Sequence, residues 1–339
     1  MAIQKIRSKT IVIQPQQGIG NFMFYLPHIH SIAQRTVEKK VILLAHPSSK
    51  ADIFAQNDPY IEKVIWVETH PGKHDGFLGA VRLAKLLESY KFEKAWILCS
   101  RSIRYGLSCW LGGIKKIYGP GHGMQKYFLT SRKSLTIPEQ KKHPIERANL
   151  LLQKKNIPFL GEKTPLSIPE SYLKNAQKKF GDLPKPWIGL VIGSSKSHKK
   201  WPKEHFLELA DKLYKKKKGT IFIIADPQDK KDAHALHISL SERGINVQSV
   251  FEDLLTVFGL IHQLDFVVGN ETGVTHGAPL VGTKALVLLG IGQDLIHNYT
   301  QVEGVRTVDT DEIRTEHEND LANLSPEKAF EKIKDLGWL

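Results

Sequence analysis

A series of short apolar runs, separated from one another by helix-like segments, constrains the fold of this chain more than any other feature. The runs of the first part are apolar at successive positions, so both faces of the predicted strands should be buried. Strands of this kind that alternate with helices are typical of parallel βαβ units, which predicts a doubly wound α/β domain. The runs are residues 11–13, 41–45, 64–67 and 95–99, and the helix-like segments are 20–37, 77–90 and 104–111.

The second part of the chain repeats this plan. The chain has 339 residues, which is more than one hydrophobic core usually serves. We therefore expect two Rossmann-like, doubly wound parallel-sheet domains facing each other across a cleft, with ligands bound at the carboxyl ends of the strands. The second set of strands is predicted at 187–192, 220–225, 246–250, 265–268 and 284–289, with helices at 203–217 and 252–263.

Seven prolines within residues 138–186 indicate connecting structure between the two sheets. We place an amino-terminal domain at residues 1–175 and a carboxyl-terminal domain at 176–325. The last segment, residues 326–339, contains a helix with an apolar face that includes Ile333. We expect that face to pack back on the amino-terminal domain.

Composition and charge narrow the class of protein. The longest apolar runs, such as residues 285–289, are far shorter than the roughly 20 residues of a membrane span, and the first residues do not resemble a secretory signal. We therefore expect a cytoplasmic protein. The formal net charge of +13 predicts an anionic partner: a nucleic acid, a phosphorylated substrate or an acidic membrane face.

Residues 265–282, DFVVGNETGVTHGAPLVG, read as a strand, a glycine-bracketed polar turn and a short helix. Such a turn points side chains and free helix N–H groups at one spot, where a phosphate is the natural ligand. The alternative is an ordinary connection capped by Asn, Glu or Thr. Pro279 would cost an interior helical turn roughly 3 kcal/mol, so the helix should be short or distorted.

A second polar turn occupies residues 192–206, again where a strand ends and a helix begins. Hydroxyl groups and clustered positive charge favour a diphosphate site here, although Pro202 also suits an ordinary solvated loop before a helix. The candidate phosphate ligands are Ser194, Ser195, Lys199 and Lys200.

Together with Glu271, Thr272 and His276, this second turn would hold a nucleotide-linked sugar. Glycosyl transfer passes through an oxocarbenium-like state in which the leaving diphosphate gains negative charge, and lysines would stabilise that charge in place of a metal ion. We therefore expect no metal, and we interpret the Asp-Thr-Asp at 309–311 as a solvated turn. The Gly-x-Gly at 18–20 lacks a third glycine, so it is a weak dinucleotide signal.

Several segments of the sequence resemble a known family. The KKWP segment at 199–202 and the VVGNETGVTH segment at 267–276 are similar to motifs of the ADP-heptose:lipopolysaccharide heptosyltransferases, glycosyltransferase family 9. Residues 18–27, 92–119 and 145–147 occur in the family's order. The resemblance implies a GT-B fold and an inverting, metal-independent and cofactor-free transfer of heptose from ADP-heptose to the inner core of lipopolysaccharide. The reaction would occur at the cytoplasmic face of the inner membrane, with peripheral membrane contact.

The resemblance also implies roles for individual residues. The donor phosphates and sugar would be bound by Ser194, Ser195, Lys199, Lys200, Glu271, Thr272, Gly273 and His276. The anionic acceptor would be bound by Gly20, Arg101, Arg104 and His122. The catalytic positions would be Asn21, Lys199 and Glu271.

Two positions depart from the family pattern. The family usually has Asp at the position of Asn21, where it is taken to be the general base, and an amide cannot accept the proton. A general base contributes roughly 10²–10⁴ in rate. Either another group takes the proton, with Glu271 and His28 as the candidates, or the acceptor differs, or activity is lost. The family also usually has Asp at the position of Glu271 and often Ser at the position of Thr272. One extra methylene moves the carboxylate by about 1.5 Å, which leaves the identity of the donor sugar open.

Two other classes of function compete with glycosyl transfer. A sugar-nucleotide epimerase on the same two-domain plan would convert the donor without an acceptor. A non-catalytic binding protein for nucleic acid would explain the positive charge, but aromatic residues are seldom interleaved with the basic ones, which disfavours it. The acceptor, the linkage and the oligomeric state do not follow from the sequence.

Overall fold

The chain consists of two compact units, Met1–Ser167 and Ile168–Leu339. The structure, a computed structural model, describes residues 8–70, 73–130, 134–194, 199–290, 299–306 and 320–339. The boundary between the units falls at residues 167 and 168, before the predicted boundary at residues 175 and 176. The reason is that the helix after residue 167 packs within the second unit.

The first unit is a parallel sheet of five strands in the order β3-β2-β1-β4-β5. The chain winds outward from β1 to one edge and then returns to build the other, so the topological switch point lies between β1 and β4. The strands are β1 (Thr10–Gln14), β2 (Val41–Ala45), β3 (Ile61–Trp66), β4 (Lys94–Ile97) and β5 (Lys116–Tyr118). The helices are α1 (Ile19–Ala33), α2 (Ala51–Ala55), α3 (Gly76–Tyr90), α4 (Ile103–Leu111), α5 (Ile137–Gln140) and α6 (Pro144–Lys154).

The second unit is a parallel sheet of six strands in the order β11-β10-β9-β6-β7-β8, with its switch point between β6 and β9. The strands are β6 (Trp187–Val191), β7 (Thr220–Ile224), β8 (Val247–Val250), β9 (Phe266–Asn270), β10 (Lys284–Leu289) and β11 (Val302–Arg306). The helices are α7 (Glu170–Phe180), α8 (Lys203–Lys216), α9 (Lys230–Glu242), α10 (Leu254–Ile261), α11 (Gly273–Gly277) and α12 (Pro326–Asp335).

The central strands β1, β6 and β9 are buried at every position, as predicted for parallel strands that are covered on both faces. Helix α8 packs on the second sheet through Phe206, Leu209 and Leu213, which are at most 1% exposed. Each fully buried side chain of this size contributes about 1.5–3 kcal/mol of hydrophobic stabilisation. The sheets are therefore rigid supports for the loops at their carboxyl ends.

Helix α7 belongs to the second unit because it packs on α10. Gln263 Nε2 donates a hydrogen bond to the Leu173 carbonyl at 2.7 Å. A Cβ atom at Gly259 would lie 2.9 Å from the Tyr172 carbonyl oxygen, so the glycine lets the two helices approach closely. These contacts move the domain boundary ahead of α7.

The final helix, α12, also packs within the second unit. Ala329 and Ile333 are fully buried in the hydrophobic core that α8 forms with the second sheet. Trp338 lies 5.5 Å from the Phe266 ring between centroids. The apolar face that was predicted to pack on the amino-terminal domain is thus buried in the second unit instead, because the sheet and α8 leave an apolar surface that this helix covers.

Most predicted strands and helices agree with the structure to within a few residues, and the differences are local. Strand β9 continues through Asn270, two residues beyond the predicted end. Helix α11 ends at Gly277 and gives way to a 3-10 turn, Ala278–Val281, as Pro279 predicted. Among the described residues, no helix is long and apolar enough to cross a bilayer.

Candidate active site

The two polar turns that the sequence singled out lie next to each other in the second unit. One follows β6 and the other follows β9, and these strands are neighbours at the switch point of the sheet. In open α/β sheets the carboxyl ends of the strands on either side of this point form a crevice where ligands bind. The prediction that both turns serve one site is therefore compatible with the strand order.

Asn270 joins the two turns. Its side chain is fully buried, and its Nδ2 donates to the Ile192 carbonyl at 2.6 Å, where the loop after β6 begins. Its Oδ1 accepts from the Trp201 backbone N–H at 2.9 Å, where that loop ends. One amide thus holds both ends of the loop that carries the lysines. The position of Asn270 in the polar turn follows from the sequence, but its role does not, because its hydrogen-bond partners lie 69 and 78 positions away along the chain.

Lys199 and Glu271 form the central ion pair of this site. Lys199 Nζ lies 2.5 Å from Glu271 Oε2, and the two side chains are 22% and 24% exposed. The nearly buried His276 lies on the other side of the carboxylate, with Nε2 at 3.9 Å from Glu271 Oε1. Residues from the two loops, 72 positions apart, therefore meet at one partly exposed cluster.

Glu271 is ionised at neutral pH. Burial alone would raise the pKa of its carboxyl group, but His276 and the positively charged Lys199 outweigh burial and hold the pKa at about 2. A carboxylate with such a low pKa is a poor proton acceptor at neutral pH. Its geometry suits it to orient Lys199 and His276 rather than to act as a base.

The beginning of α11 completes the polar turn that follows β9. Thr272 caps the helix by accepting from the Thr275 N–H at 3.5 Å, and Thr275 Oγ1 donates to the Asn270 carbonyl at 2.8 Å. Gly273 is the first helical residue. A Cβ atom at Gly269 would lie 2.7 Å from the Val191 carbonyl oxygen, so only glycine allows β9 to approach β6 here.

The remaining predicted donor residues are distributed around this cluster. Ser194 is 3% exposed at the end of β6. Lys200 forms an ion pair with the buried Asp229, which follows β7. Ser195 and the Asp-Thr-Asp at 309–311 lie outside the described residues.

The loop after β1 places the predicted catalytic position in the first unit. Gly18 has φ +88°, a left-handed conformation that favours glycine, and its N–H donates to Ser48 Oγ at 3.0 Å. Gly20 and Asn21 are partly exposed in the first turn of α1. Asn21 Nδ2 donates to the Gln17 carbonyl at 2.7 Å, so the amide stabilises the loop through a bond that a carboxylate could not donate.

The other side of the same switch point is positively charged. Arg101 follows β4, and Arg147, on α6, is close enough for its pKa to be lowered first by burial and then by the charge of Arg101. Arg147 is only 3% exposed, and its Nη1 donates to the Gln140 carbonyl at 3.1 Å. Within the described parts of the chain, no carboxylate forms an ion pair with either arginine. Two neighbouring guanidinium groups without a counter-charge are suited to bind an anion.

His122 belongs to this positive cluster. Burial, together with the charges of Arg147 and Arg101, lowers the pKa of His122 to about 4, although a hydrogen bond with Gln140 opposes the shift. The imidazole is therefore neutral at pH 7. Its buried Nε2 has no hydrogen-bond partner among the described residues. A ligand oxygen would satisfy this atom.

Further polar groups at the end of β1 also lack partners. The Gln14 side chain is fully buried, and neither its Oε1 nor its Nε2 has a hydrogen-bond partner among the described residues. Buried amides are normally satisfied, so this strand end has the chemistry of a site that a ligand or water completes. No role for Arg147 or Gln14 follows from the sequence, since neither residue forms a recognisable motif.

Two other candidates have internal partners. Arg104 Nη2 lies 2.7 Å from Asp75 Oδ1, so its charge is shared with the carboxylate of the residue that precedes α3. His28 is fully buried in α1, with Nε2 at 2.7 Å from Asn149 Oδ1, and burial lowers its pKa to about 4. A histidine in the protein interior has no access to an acceptor hydroxyl, which argues against His28 as the replacement base.

Known structures have the same fold. E. coli ADP-heptose lps heptosyltransferase II is 17% identical, with 96% of this chain and 98% of that chain covered and a TM-score of 0.71. E. coli heptosyltransferase WaaC with ADP-2-deoxy-2-fluoro heptose is 14% identical, with 96% and 99% covered and a TM-score of 0.73. A glycosyltransferase family 9 protein from Veillonella parvula is 17% identical, with 98% of both chains covered and a TM-score of 0.72.

These matches confirm the predicted GT-B class of fold. No curated protein matches the chain by sequence. The sequence pattern of glycosyltransferase family 9 (heptosyltransferase) matches residues 80–297, which is more than half of the chain. This match selects a glycosyltransferase over the epimerase and the nucleic-acid-binding protein. The chain belongs to glycosyltransferase family 9.

Proposed function

We propose that this glycosyltransferase moves a heptose, or a closely related sugar, from ADP-heptose to an anionic glycolipid of the lipopolysaccharide core. The observation that carries the proposal is the cluster of Lys199, Glu271 and His276 at the switch point of the second sheet. Solved relatives support the donor class, because heptosyltransferase WaaC is described with ADP and with ADP-2-deoxy-2-fluoro heptose. The proposed acceptor would put the reaction at the cytoplasmic face of the inner membrane.

The donor would bind in the second unit. In an inverting transfer, the acceptor oxygen forms a bond to the anomeric carbon while the bond from that carbon to the diphosphate oxygen breaks. The electron pair of the broken bond leaves with ADP, so negative charge grows on the diphosphate. Lys199 would share its charge between Glu271 and the departing phosphate, and Ser194 would donate a hydrogen bond. Removing one hydrogen-bond donor that stabilises such a developing charge typically lowers the rate by about 10²–10³.

Glu271 would keep Lys199 in place before the donor arrives. An unpaired lysine has a flexible four-carbon stem, and ordering it at the moment of reaction costs side-chain entropy. The 2.5 Å contact with Glu271 reduces that cost in advance. This positioning role explains how a carboxylate of low pKa contributes to catalysis without accepting a proton.

The acceptor would bind in the first unit. Arg101 and Arg147 have no acidic partner among the described residues, and His122 offers a buried nitrogen beside them. A carboxylate or phosphate on the acceptor would supply the missing negative charge and accept hydrogen bonds from both guanidinium groups. The family resemblance assigned Arg101 and His122 to the acceptor, and we add Arg147.

The acceptor hydroxyl must also lose its proton during the transfer. Asn21 cannot accept it, Glu271 is too weak a base, and His28 is buried. An oxocarbenium-like transition state needs little deprotonation of the nucleophile before the bond to the leaving group is largely broken. We infer that the proton passes to solvent late in the reaction and that charge stabilisation and positioning supply most of the rate.

A transfer assay tests the proposal. ADP release from ADP-heptose should depend on a lipopolysaccharide acceptor that lacks heptose, and the acceptor should gain the mass of one heptose residue. Parallel reactions with UDP- and GDP-sugars should be much slower. Conversion of the donor without acceptor would favour the epimerase, and no reaction with any nucleotide sugar would overturn the proposed function.

A further inference from the structure

We propose that one surface of the first unit docks on an anionic lipid bilayer. This surface, the lipid face, consists of Ile103, Trp110 and Leu111 on α4 together with Met124 and Tyr127 on the turn that follows β5. The lipid face itself is independent of the glycosyl transfer reaction. Only its consequence for the acceptor, given below, rests on the proposed function.

Helix α4 is apolar on both its inner and its outer side. Tyr105 and Cys109 are buried on the inner side, as in any surface helix. On the outer side Ile103, Trp110 and Leu111 are 36%, 59% and 43% exposed. Helices of soluble proteins usually present polar residues to water, and a helix that is apolar all round is normally covered. The outer side of α4 therefore has the character of an interaction site.

The 3-10 turn Gly123–Phe128 extends this apolar surface. Met124 and Tyr127 are 63% and 71% exposed. The buried Gln125 fastens the turn to the beginning of α4, because its Nε2 donates to the Ser100 and Ser102 carbonyls at 3.1 and 2.9 Å. The Phe128 ring on the same turn lies 5.9 Å from the Trp110 ring between centroids. The helix and the turn therefore form one continuous surface.

The charge around the lipid face indicates an anionic partner. Residues 94–138 contain eight basic residues and no acidic residue, although the whole chain has 35 acidic residues. Lys115 and Lys116 are exposed at the beginning of β5, and Lys126 Nζ lies 5.2 Å from the centroid of the Tyr127 ring. A basic segment next to anionic lipid gains roughly 1 kcal/mol per lysine or arginine.

The residue types favour a bilayer over a nucleic acid or a protein. Trp and Tyr are preferred where an apolar phase meets water, since their rings are apolar and their N–H or O–H groups stay hydrated. Exposed Ile, Leu and Met side chains have no use against a phosphate backbone, but they can enter the boundary between head groups and acyl chains. Apolar side chains surrounded by lysines are thus complementary to an anionic membrane surface.

The lipid face adjoins the positive cluster of the first unit. Arg101 lies in the loop between Ser100 and Ser102, whose carbonyls hold the exposed turn. If the acceptor is a membrane-anchored glycolipid, as the proposed function requires, docking through this face would bring its anionic head group close to Arg101 and Arg147. The membrane would then raise the local concentration of the acceptor.

Co-sedimentation of the full chain with vesicles tests the lipid face without donor or acceptor. Binding to vesicles of phosphatidylethanolamine and phosphatidylglycerol should be strong, and binding to pure phosphatidylcholine vesicles should be at least tenfold weaker. The double variant W110S/Y127S should bind anionic vesicles at least tenfold more weakly. The double variant K115E/K116E should lose a similar factor, and high salt should weaken binding of the parent.

Matched controls are present on the second unit. Ile238→Ser replaces a 44% exposed apolar residue on α9, and K217E/K218E reverses two exposed lysines after α8. Both controls should bind vesicles like the parent. Circular dichroism and thermal unfolding should confirm that every variant is folded.

Equal binding of the parent to neutral and anionic vesicles, or unchanged binding of both W110S/Y127S and K115E/K116E, would overturn the proposal. Absence of vesicle binding with concentration-dependent self-association that W110S/Y127S abolishes would assign the face to a second copy of the chain instead. Transfer to a water-soluble, delipidated acceptor should be unchanged in W110S/Y127S. Failure of the lipid proposal is therefore distinguishable from failure of the proposed enzymatic function.

Discussion

The switch points of the two sheets carry charge in opposite ways. In the second unit, Lys199 is paired with Glu271 and Lys200 with Asp229. In the first unit, Arg101 and Arg147 repel each other, and no carboxylate of the described chain neutralises them. Among the described residues, the lysines of the second unit's site are balanced by carboxylates before any ligand binds, whereas the arginines of the first unit's site are not.

This difference indicates the charge that each ligand must carry. A balanced site binds by sharing its cations, so it can hold a diphosphate firmly and still release ADP after the reaction. An unbalanced site lowers the cost of the buried Arg147 charge only when an anion arrives, so it selects for a carboxylate or phosphate. We therefore assign the donor to the second unit and the anionic acceptor to the first.

The largest expected effect comes from the cation of the balanced site. Lys199→Met should lower kcat by about 10²–10³, because the departing diphosphate loses the charge that stabilises it. Steady-state kinetics with a saturating acceptor would measure this effect. Lys200→Met is the matched control, and its effect should be less than about tenfold, since Lys200 pairs with the buried Asp229 after β7 and not with the cluster of Glu271 and His276. Equal losses in the two variants would contradict the assignment.

The next largest effect comes from the unbalanced site. Arg147→Met should raise the acceptor KM by about 10- to 100-fold, since a charged hydrogen bond contributes about 1.5–3 kcal/mol, and kcat should change little. Because Arg147 also lowers the pKa of His122, that pKa should move from about 4 toward the ordinary histidine value, as measured by NMR titration.

Arg104→Met provides the control for the acceptor site. Arg104 is paired with Asp75, so the acceptor KM should rise less than in Arg147→Met and the pKa of His122 should stay low. A larger effect on KM from Arg104→Met than from Arg147→Met would place the anion near α3 rather than near α6.

The low pKa of Glu271 predicts that the stability of the protein depends on pH. Its pKa is about 2 in the folded protein and near 4.5 in the unfolded chain, so its stabilising contribution is complete above about pH 4.5 and is lost as the pH falls toward 2. The shift corresponds to about 3 kcal/mol. The difference in unfolding free energy between the parent and Glu271→Gln should therefore shrink from pH 6 to pH 3.

Urea denaturation followed by tryptophan fluorescence would measure this difference at each pH. Glu331→Gln removes the carboxylate of an exposed pair with Lys334, so it should change the unfolding free energy by less than about 1 kcal/mol at any pH. A constant difference between the parent and Glu271→Gln across this pH range would show that the carboxylate is not stabilised by its neighbours.

The smallest expected effect belongs to Asn21. Asn21→Asp should change kcat by no more than about tenfold, because the new carboxylate would face the Gln17 carbonyl and lose the bond that the amide donates. Asn21→Ala isolates the loss of that bond. A rise of about 100-fold or more in Asn21→Asp would show that a general base restores a mechanism that this chain has weakened.

The sequence predicted the two sheets because their central strands are apolar at successive positions and their helices have clear periodicity. Strands β5 and β11 were missed, since KIY and VEGVR are short or polar, as edge strands often are. Helix α9 was missed because its buried residues, Ala233, Leu236 and Leu240, give only a weak periodic pattern.

Within the site, the sequence identified Lys199 and Glu271 because they lie in recognisable turns. It did not predict the role of Asn270 or of Arg147, because each depends on partners far along the chain. Asn270 binds groups 69 and 78 positions away. The direction of α12 also depended on which apolar surface the second sheet left open, which strand and helix periodicity do not specify.

Hydrogen exchange with mass spectrometry, in the presence and absence of ADP-heptose, tests directly whether the donor binds in the second unit. The donor should protect backbone amides in peptides covering 199–205 and 270–277 and leave peptides covering 98–104 and 120–128 unchanged. Protection confined to the first unit, or donor binding without protection of the loops after β6 and β9, would contradict the assignment of the donor to the balanced site.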